Sequence, residues 1–279
     1  DPSMVKAVFD NMRSPRPLRE FTVGIDDDVT HLSLPRTSLA MPAPPALLQA
    51  KFYGFGSDGT VGATKQVARV LADTFGLYSQ AFFQYSAKKS GGYTISQLRL
   101  DTRPIKADYS IEQADYVACH KDTYVHKYDM AAALRDGGIF VLNSPWDTLS
   151  ALEANLPASL RSALARRHAR LYNVDAAAIA ARTGLGVRVN MIMEAVFLSL
   201  IGDKIDTDKA LESLRDAIRQ TYMHEGQAVV DKNLAALDLA KDAAVRIEIP
   251  SSWSQAAPEK ALVPDAKINP LDLKSFVRG

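Results

Sequence analysis

Cysteine is almost absent from this sequence of 279 residues, in which Cys119 is the only one. A single cysteine excludes a disulfide within the chain, and it excludes zinc or iron–sulfur sites built only from cysteines. A reducing, intracellular setting fits this composition best, and we expect a cytoplasmic protein. Cys119 ends a predicted strand and is followed by His120, but neighbours on an extended chain point to opposite faces and so do not form a nucleophile–base pair. We therefore expect Cys119 to be a buried structural thiol.

The sequence also lacks an excess of charge and a long apolar run. The formal net charge is +1 at pH 7, which argues against nucleic acid or a membrane surface as the main partner. The most apolar stretch, residues 189–200, contains Glu194 and is shorter than the roughly 20 apolar residues that a membrane span needs. We therefore predict no nucleic-acid or membrane partner, and a buried core helix over this stretch.

Several catalytic motifs are missing as well. The chain has no P-loop, no G-x-S-x-G nucleophile motif and no H-E-x-x-H zinc motif, and its histidines show no metal-ligand spacing. The acidic run Asp26–Asp28 is interpreted as a solvated turn, because no glutamate-terminated calcium loop follows it. The residue patterns therefore indicate neither a catalytic group nor a metal site.

What the sequence does contain is a glycine-rich turn, "FYGFGSDGTVGATKQ" at 52–66. Gly54, Gly56 and Gly59 fall on the spacing G-x-G-x-x-G between a predicted strand and a predicted helix, the context of a dinucleotide-binding turn. Such a turn lets the backbone approach a ligand closely, and the helix N-terminus offers N–H groups to a phosphate. A turn needed only for packing is the alternative interpretation.

One part of an NAD site is missing from this region. Such a site has an Asp or Glu at the end of the next strand, where it binds the ribose hydroxyls. No acidic residue occurs between Asp73 and Asp101, and the strand leads instead to Lys88 and Lys89 in the loop "SAKKSGG". Cations at this place favour a ligand with an extra phosphate, such as NADP or coenzyme A. A solvated hairpin tip would have the same composition.

Strands and helices alternate along the chain and are followed by a run of helices. Strands are predicted over 21–25, 31–34, 51–55, 78–85, 93–100, 115–119, 138–143, 169–173 and 244–250. Helices are predicted from the glycine turn to Gly76, around 124–135, and over 174–183, 188–202, 207–222 and 225–242. This order favours an α/β domain with a parallel or mixed sheet.

Several longer motifs occur in one order: "EFTVGIDDDVTHLSL", "GFGSDGTVGATK", "SAKKSGG", "ADYVACH", "KYDM" and "GLGVRVNMIM". In these motifs, and over nearly its whole length, the chain resembles the pyruvate:ferredoxin (flavodoxin) oxidoreductases. Enzymes of that family decarboxylate pyruvate on thiamine diphosphate, pass electrons through 4Fe-4S clusters to ferredoxin or flavodoxin, and form acetyl-CoA. The matching region is their third, or gamma, domain. The fold implied is α/β: a Rossmann-like layered domain with a mixed, barrel-like sheet and a helical C-terminal half packed on it.

The resemblance implies a coenzyme A-binding domain that is not catalytic by itself. Residues 1–20 would be a linker from a preceding domain, residues 21–250 the gamma domain and residues 251–279 a C-terminal linker or tail. Its partners would be the remaining domains or subunits of a homodimeric parent enzyme, which hold the thiamine and cluster sites, and ferredoxin or flavodoxin. The residues placed at the coenzyme are Ser57, Asp58, Gly59, Thr60, Val61, Lys88, Lys89, Arg188, Asn190 and Asn233.

The chain departs from the family pattern at one position. Val187 stands where the family usually has Asn or Gly, so a polar contact would be lost there.

Two other functions are alternatives to coenzyme A binding. A scaffold domain, like the related one in sulfite reductase flavoprotein subunits, would keep the fold and use it for contacts between subunits. A free-standing NADP-dependent enzyme would rest on the glycine spacing alone.

Overall fold

The computed structural model describes residues 2–36, 46–56, 58–86, 92–106, 109–256 and 263–264. The chain divides into two compact units, Asp1–Pro44 and Pro45–Gly279. The domain limits expected at residues 20 and 250 stay a prediction, and so does the tail beyond residue 250.

The first unit consists of helix α1, Pro2–Arg13, and an irregular segment. The strands predicted over 21–25 and 31–34 are wrong, because only an isolated bridge joins Thr22 to Ser33. The carboxylate of Asp28 instead accepts hydrogen bonds from the backbone N–H groups of Thr30, at 3.1 Å, and Ser33, at 2.6 Å. These bonds form the expected acidic turn, and they lower the pKa of Asp28, with the Thr30 hydroxyl making the largest contribution.

The second unit is built on a mixed seven-stranded sheet. In chain order its strands are β1 (Leu48–Phe55), β2 (Tyr78–Tyr85), β3 (Tyr93–Asp101), β4 (Ala114–Cys119), β6 (Leu134–Asn143), β7 (Arg170–Val174) and β8 (Val245–Ile247). Strand β5 (Tyr128–Asp129) pairs with β9 (Val263–Pro264) in a separate ribbon. The order across the sheet is β2-β3-β1-β4-β6-β7-β8, in which β1, β4, β6 and β7 are parallel. The mixed α/β architecture is confirmed.

Helices cover both faces of this sheet. They are α2 (Thr60–Phe75), α3 (Leu149–Asn155), α4 (Ala158–Arg166), α5 (Ala176–Thr183), α6 (Asn190–Leu200), α7 (Thr207–Tyr222) and α8 (Gln227–Ala240). The predictions for α2 and for α5 to α8 are confirmed, whereas α3 and α4 were not predicted. The helix predicted around 124–135 is wrong: Asp122–His126 and Met130–Ala133 are short 3₁₀ helices on either side of β5.

The strands separate two hydrophobic cores because successive side chains alternate between the faces of the sheet. On β6, Val141 belongs to the core that contains α2 and α5 to α8, whereas Phe140 belongs to the core that contains α3 and α4. Helix α6 lies inside the first core, and its residues from Met191 to Leu198 are all buried. The prediction of a buried core helix is confirmed.

Trp253 fills the second core from a short 3₁₀ helix, Ser251–Gln255, beyond the domain limit expected at residue 250. Its side chain is 1% exposed, and its indole Nε1 donates a hydrogen bond of 2.8 Å to Glu153. We therefore propose that the folded domain extends at least to Gln255. Trp253→Ala is expected to lower the free energy of unfolding by about 3–5 kcal/mol in urea titrations. Trp253→Phe, which retains an aromatic ring, should recover most of that loss, and an alanine variant with the wild-type midpoint would contradict the assignment.

Candidate functional site

The order in which strands are added to the sheet reverses between the neighbouring strands β1 and β4. After β1 the chain returns through α2 to β2 and β3 on one side, and after β4 it continues to β6 on the other. In open α/β sheets, ligands bind in the crevice outside the carboxyl ends of such a strand pair. The glycine turn follows β1, and His120 follows β4 with its N–H donating to the Tyr53 carbonyl at 2.9 Å.

The carboxylate of Asp58 stabilises the glycine turn through two hydrogen bonds. One carboxylate oxygen accepts the backbone N–H of Phe55 at 2.7 Å, and the other accepts that of Thr60 at 2.8 Å. The Asp58 N–H in turn donates to the Phe55 carbonyl at 2.9 Å. Because both carboxylate oxygens bind backbone amides, Asp58 supports the turn and the start of α2.

Two of the glycines allow close contacts that a side chain would block. A Cβ at Gly54 would lie 2.4 Å from the Thr60 hydroxyl oxygen. Gly59 immediately precedes α2 with φ at 89°, in the left-handed region that favours glycine. A Cβ at Gly59 would also lie 3.0 Å from the side chain of Asn190. The starts of α2 and α6 therefore meet at Gly59.

The first turn of α2 offers backbone donors to a ligand. The Thr60 N–H is bonded to Asp58, and the Ala63 N–H to the Gly59 carbonyl. The N–H groups of Val61 and Gly62 find no acceptor among the residues that the structure describes. The backbone amides of a first helical turn and the positive end of the helix dipole together favour an anion at this place.

A cavity of about 400 Å³ opens beside this helix start. Its size falls within the roughly 300–1,000 Å³ of small-molecule sites. The lining comes from the glycine turn and from the hairpin of β2 and β3: Phe55, Gly56, Asp58, Gly59, Thr60, Val61, Tyr85, Ser86, Gly92, Tyr93 and Thr94. The Gly56 N–H donates to the Gly92 carbonyl at 2.7 Å, which ties the turn to the hairpin.

The structure brings five of the predicted site residues together. Asp58, Gly59, Thr60 and Val61 line the cavity, and Asn190 lies against Gly59.

The other predicted residues either do not line this cavity in the described structure or lie outside the described residues. Arg188 is exposed just before α6, next to Val187, which is 90% exposed. Asn233 is buried on α8, where it donates to the Val229 carbonyl at 2.8 Å. Ser57, Lys88 and Lys89 lie outside the described residues, and the complete set stays a prediction.

Sequence reasoning missed a role for His120 at this site. Its imidazole is buried, and Nδ1 lies 3.0 Å from the Thr60 hydroxyl oxygen, directly behind the glycine turn. Burial lowers the pKa of His120, and the nearby Asp58 opposes that shift. The sequence did offer a signal, which is that His120 comes directly after a predicted strand. That signal was missed because His120 was considered only as the neighbour of Cys119. The structural role expected of Cys119 is confirmed, since the thiol is fully buried and burial raises its pKa to about 12.

The described residues offer neither a metal site nor a membrane-spanning helix. They contain no group of three or more His, Cys, Asp and Glu residues that could hold a metal ion. Within the same residues, no helix combines the length and the apolar character required for a membrane span.

Comparison with known proteins identifies the family and supports the fold. The family described as pyruvate ferredoxin/flavodoxin oxidoreductase matches residues 49–243, which is more than half of the chain. The chain belongs to this family. It is 43% identical over 261 residues to pyruvate:ferredoxin oxidoreductase of Moorella thermoacetica, covering 94% of this chain and 22% of that protein. It is 39% identical over 278 residues to pyruvate-flavodoxin oxidoreductase of Enterobacter agglomerans, covering 99% of this chain and 23% of that protein.

Solved structures share the fold at low sequence identity. Pyruvate oxidoreductase subunit PORC of Thermotoga maritima has a TM-score of 0.57 at 21% identity, covering 72% of this chain and 98% of that one. The 2-oxoglutarate:ferredoxin oxidoreductase of Magnetococcus marinus, solved with 2-oxoglutarate, coenzyme A and succinyl-CoA bound, has a TM-score of 0.52 at 16% identity and covers 77% of this chain and 33% of that one. These structures share the fold of the chain, and the chain spans less than a quarter of the length of the two curated relatives.

Proposed function

We propose that this chain is the coenzyme A-binding part of a pyruvate:ferredoxin or pyruvate:flavodoxin oxidoreductase. The observation that carries the proposal is the start of α2, where Gly59, Thr60 and Val61 line a cavity of about 400 Å³ and the Val61 N–H has no acceptor among the described residues. Coenzyme A carries a pyrophosphate and a ribose phosphate, and such anions bind at helix N-termini.

The walls of the cavity suit the rest of the coenzyme. Phe55, Tyr85 and Tyr93 supply aromatic surface for an adenine ring or the pantetheine arm. The hairpin loop begins at Ser86, which lines the cavity, and Lys88 follows two residues later in the sequence. Lys88 and Lys89 would neutralise the phosphates as point charges.

The chemistry of the whole enzyme would take place with other parts of the protein. Thiamine diphosphate, the 4Fe-4S clusters and the contact with ferredoxin or flavodoxin would belong to the remaining domains or subunits. The single cysteine of this chain agrees with that division. This part would present coenzyme A to the acetyl group formed elsewhere, and we propose no catalytic residue in it.

Calorimetric titration of the chain with coenzyme A tests the proposal. We expect saturable binding that weakens about tenfold, or about 1.4 kcal/mol, in the double variant Lys88→Ala/Lys89→Ala. The matched control is Lys204→Ala/Lys241→Ala, which removes the same charge from exposed lysines that do not line the cavity. Absence of heat at millimolar coenzyme A would favour a scaffold role, and tighter binding of NADPH would favour a dinucleotide site; either result would overturn the proposal.

A further inference from the structure

Behind the glycine turn, the imidazole of His120 contacts the start of α2. Its Nδ1 lies 3.0 Å from the Thr60 hydroxyl oxygen, and both residues are buried. The imidazole packs edge-on against Phe52, with 6.1 Å between the ring centroids. The space left between His120, α2 and α6 is an apolar cavity of about 10 Å³, which Glu194 also borders. A space of this size leaves the imidazole little room to turn away from Thr60.

Thr60 is bonded both within its own segment and to the sheet. Its N–H donates to the Asp58 carboxylate at 2.8 Å, and its carbonyl accepts the Thr64 hydroxyl at 2.9 Å. Those two partners belong to the glycine turn and to α2. Among the described residues, His120 is the hydrogen-bond partner that connects Thr60 to the sheet. The next residue, Val61, lines the larger cavity with an N–H that has no acceptor in the described chain.

His120 is itself fixed by the strands on both sides of β4. Its N–H donates to the Tyr53 carbonyl on β1 at 2.9 Å, and its carbonyl accepts the side-chain amide of Asn143 on β6 at 3.0 Å. The Asn143 side chain in turn accepts the N–H of Ala176, the first residue of α5, at 3.0 Å. The position of the imidazole is therefore set by the carboxyl edge of the sheet, independently of the glycine turn.

We propose that His120 is a positioning residue, whose bond to Thr60 fixes the first turn of α2 and with it the backbone N–H groups that bind the phosphates of coenzyme A. This inference rests on the proposed function. It deepens that function by assigning the geometry of the anion site to a residue on a neighbouring strand that does not line the coenzyme cavity. Donors that are already held in their binding positions lose less conformational entropy when the ligand binds.

Calorimetric titration of the full chain with coenzyme A tests the inference. His120→Leu and Thr60→Val each remove the hydrogen bond, and we expect each to weaken binding about tenfold. The double variant should bind no more weakly than either single variant, because the same bond is lost in all three. His120→Asn places a side-chain amide where Nδ1 lies, so it should recover most of the lost affinity.

A variant with a merely structural effect provides the control. Val141→Ala removes buried methyl groups from the core that contains α2, but Val141 does not line the coenzyme cavity. It should lower the urea midpoint and leave the affinity for coenzyme A unchanged. If Val141→Ala weakens binding as much as His120→Leu does, the effect of His120 is only structural and the inference is wrong.

The failure of this inference is distinguishable from the failure of the proposed function. If the wild type gives no heat with coenzyme A, both are wrong. If the wild type binds and the single variants bind equally well, or if their effects add in the double variant, only the positioning role is wrong. Without ligand, the backbone amide signals of Thr60 and Val61 should shift in His120→Leu and return toward their wild-type positions in His120→Asn; unchanged signals in His120→Leu would also contradict the role.

Discussion

Adding a single methyl group at Gly54 is expected to lower the free energy of unfolding by about 3 kcal/mol. The new Cβ would lie 2.4 Å from the Thr60 hydroxyl oxygen and 2.7 Å from the Thr60 Cβ. Thr60 is buried and bonded to His120, so it cannot move without breaking that bond. The midpoint of urea unfolding of Gly54→Ala measures the loss.

Gly62 provides the matched control for this experiment. It lies in the first turn of α2, and a Cβ added there would meet no heavy atom within 4 Å. Gly62→Ala should therefore stabilise the chain by about 0.4–1 kcal/mol, because alanine restricts the unfolded chain and favours the helix. If the two alanine variants unfold at the same urea concentration, the close contact at Gly54 is not the cause.

The second large effect is the dependence of stability on pH that Glu194 introduces. Because burial raises the pKa of Glu194 in the folded state, the folded chain holds a proton that the unfolded chain releases above about pH 4.3. Its favourable contribution is complete below that pH and is lost as the pH rises toward the folded pKa. Relative to Glu194→Gln, the wild type should lose about 1.4 kcal/mol for each pH unit in this interval.

His120 has the opposite sign, which allows the two groups to be separated. Its lowered pKa means that the unfolded chain binds a proton below about pH 6.5 while the folded chain does not. The stability that it contributes is present above that pH and lost as the pH falls. Urea titrations of the wild type and of Glu194→Gln over a series of pH values measure the difference in their free energies of unfolding. If this difference does not change with pH, Glu194 is not protonated in the folded chain.

Local sequence signals predicted the part of the fold that surrounds the glycine turn. The strand before Gly54 and the helix that ends at Gly76 follow from apolar periodicity and glycine, which act within a few residues of each other. The prediction of a helix around 124–135 was wrong although the alanine run in this segment favours one. The Asp129 side chain accepts a hydrogen bond from the Ala132 N–H and stabilises a short 3₁₀ helix instead. Helix α3 was missed although Thr148 caps it through the Ala151 N–H.

The candidate site also has a part that local sequence predicts and a part that depends on distant contacts. The residues from Gly54 to Val61 are contiguous, so their turn could be predicted from spacing alone. The contact of His120 with Thr60, and the cavity that His120 shares with Glu194, join segments that are far apart in the sequence. Such contacts depend on how β4 and α6 pack against α2, which no local pattern encodes.

The most direct test of the account is a titration of the chain with coenzyme A, followed through the backbone amide signals of the first turn of α2. We expect the signals of Gly59, Val61 and Gly62 to shift progressively and to saturate, because their N–H groups would bind or border the phosphates. Amides on α8, around the buried Asn233, should shift less. Saturable binding that leaves the signals of Val61 and Gly62 unchanged, or an absence of any shift at millimolar coenzyme A, would contradict the proposed site.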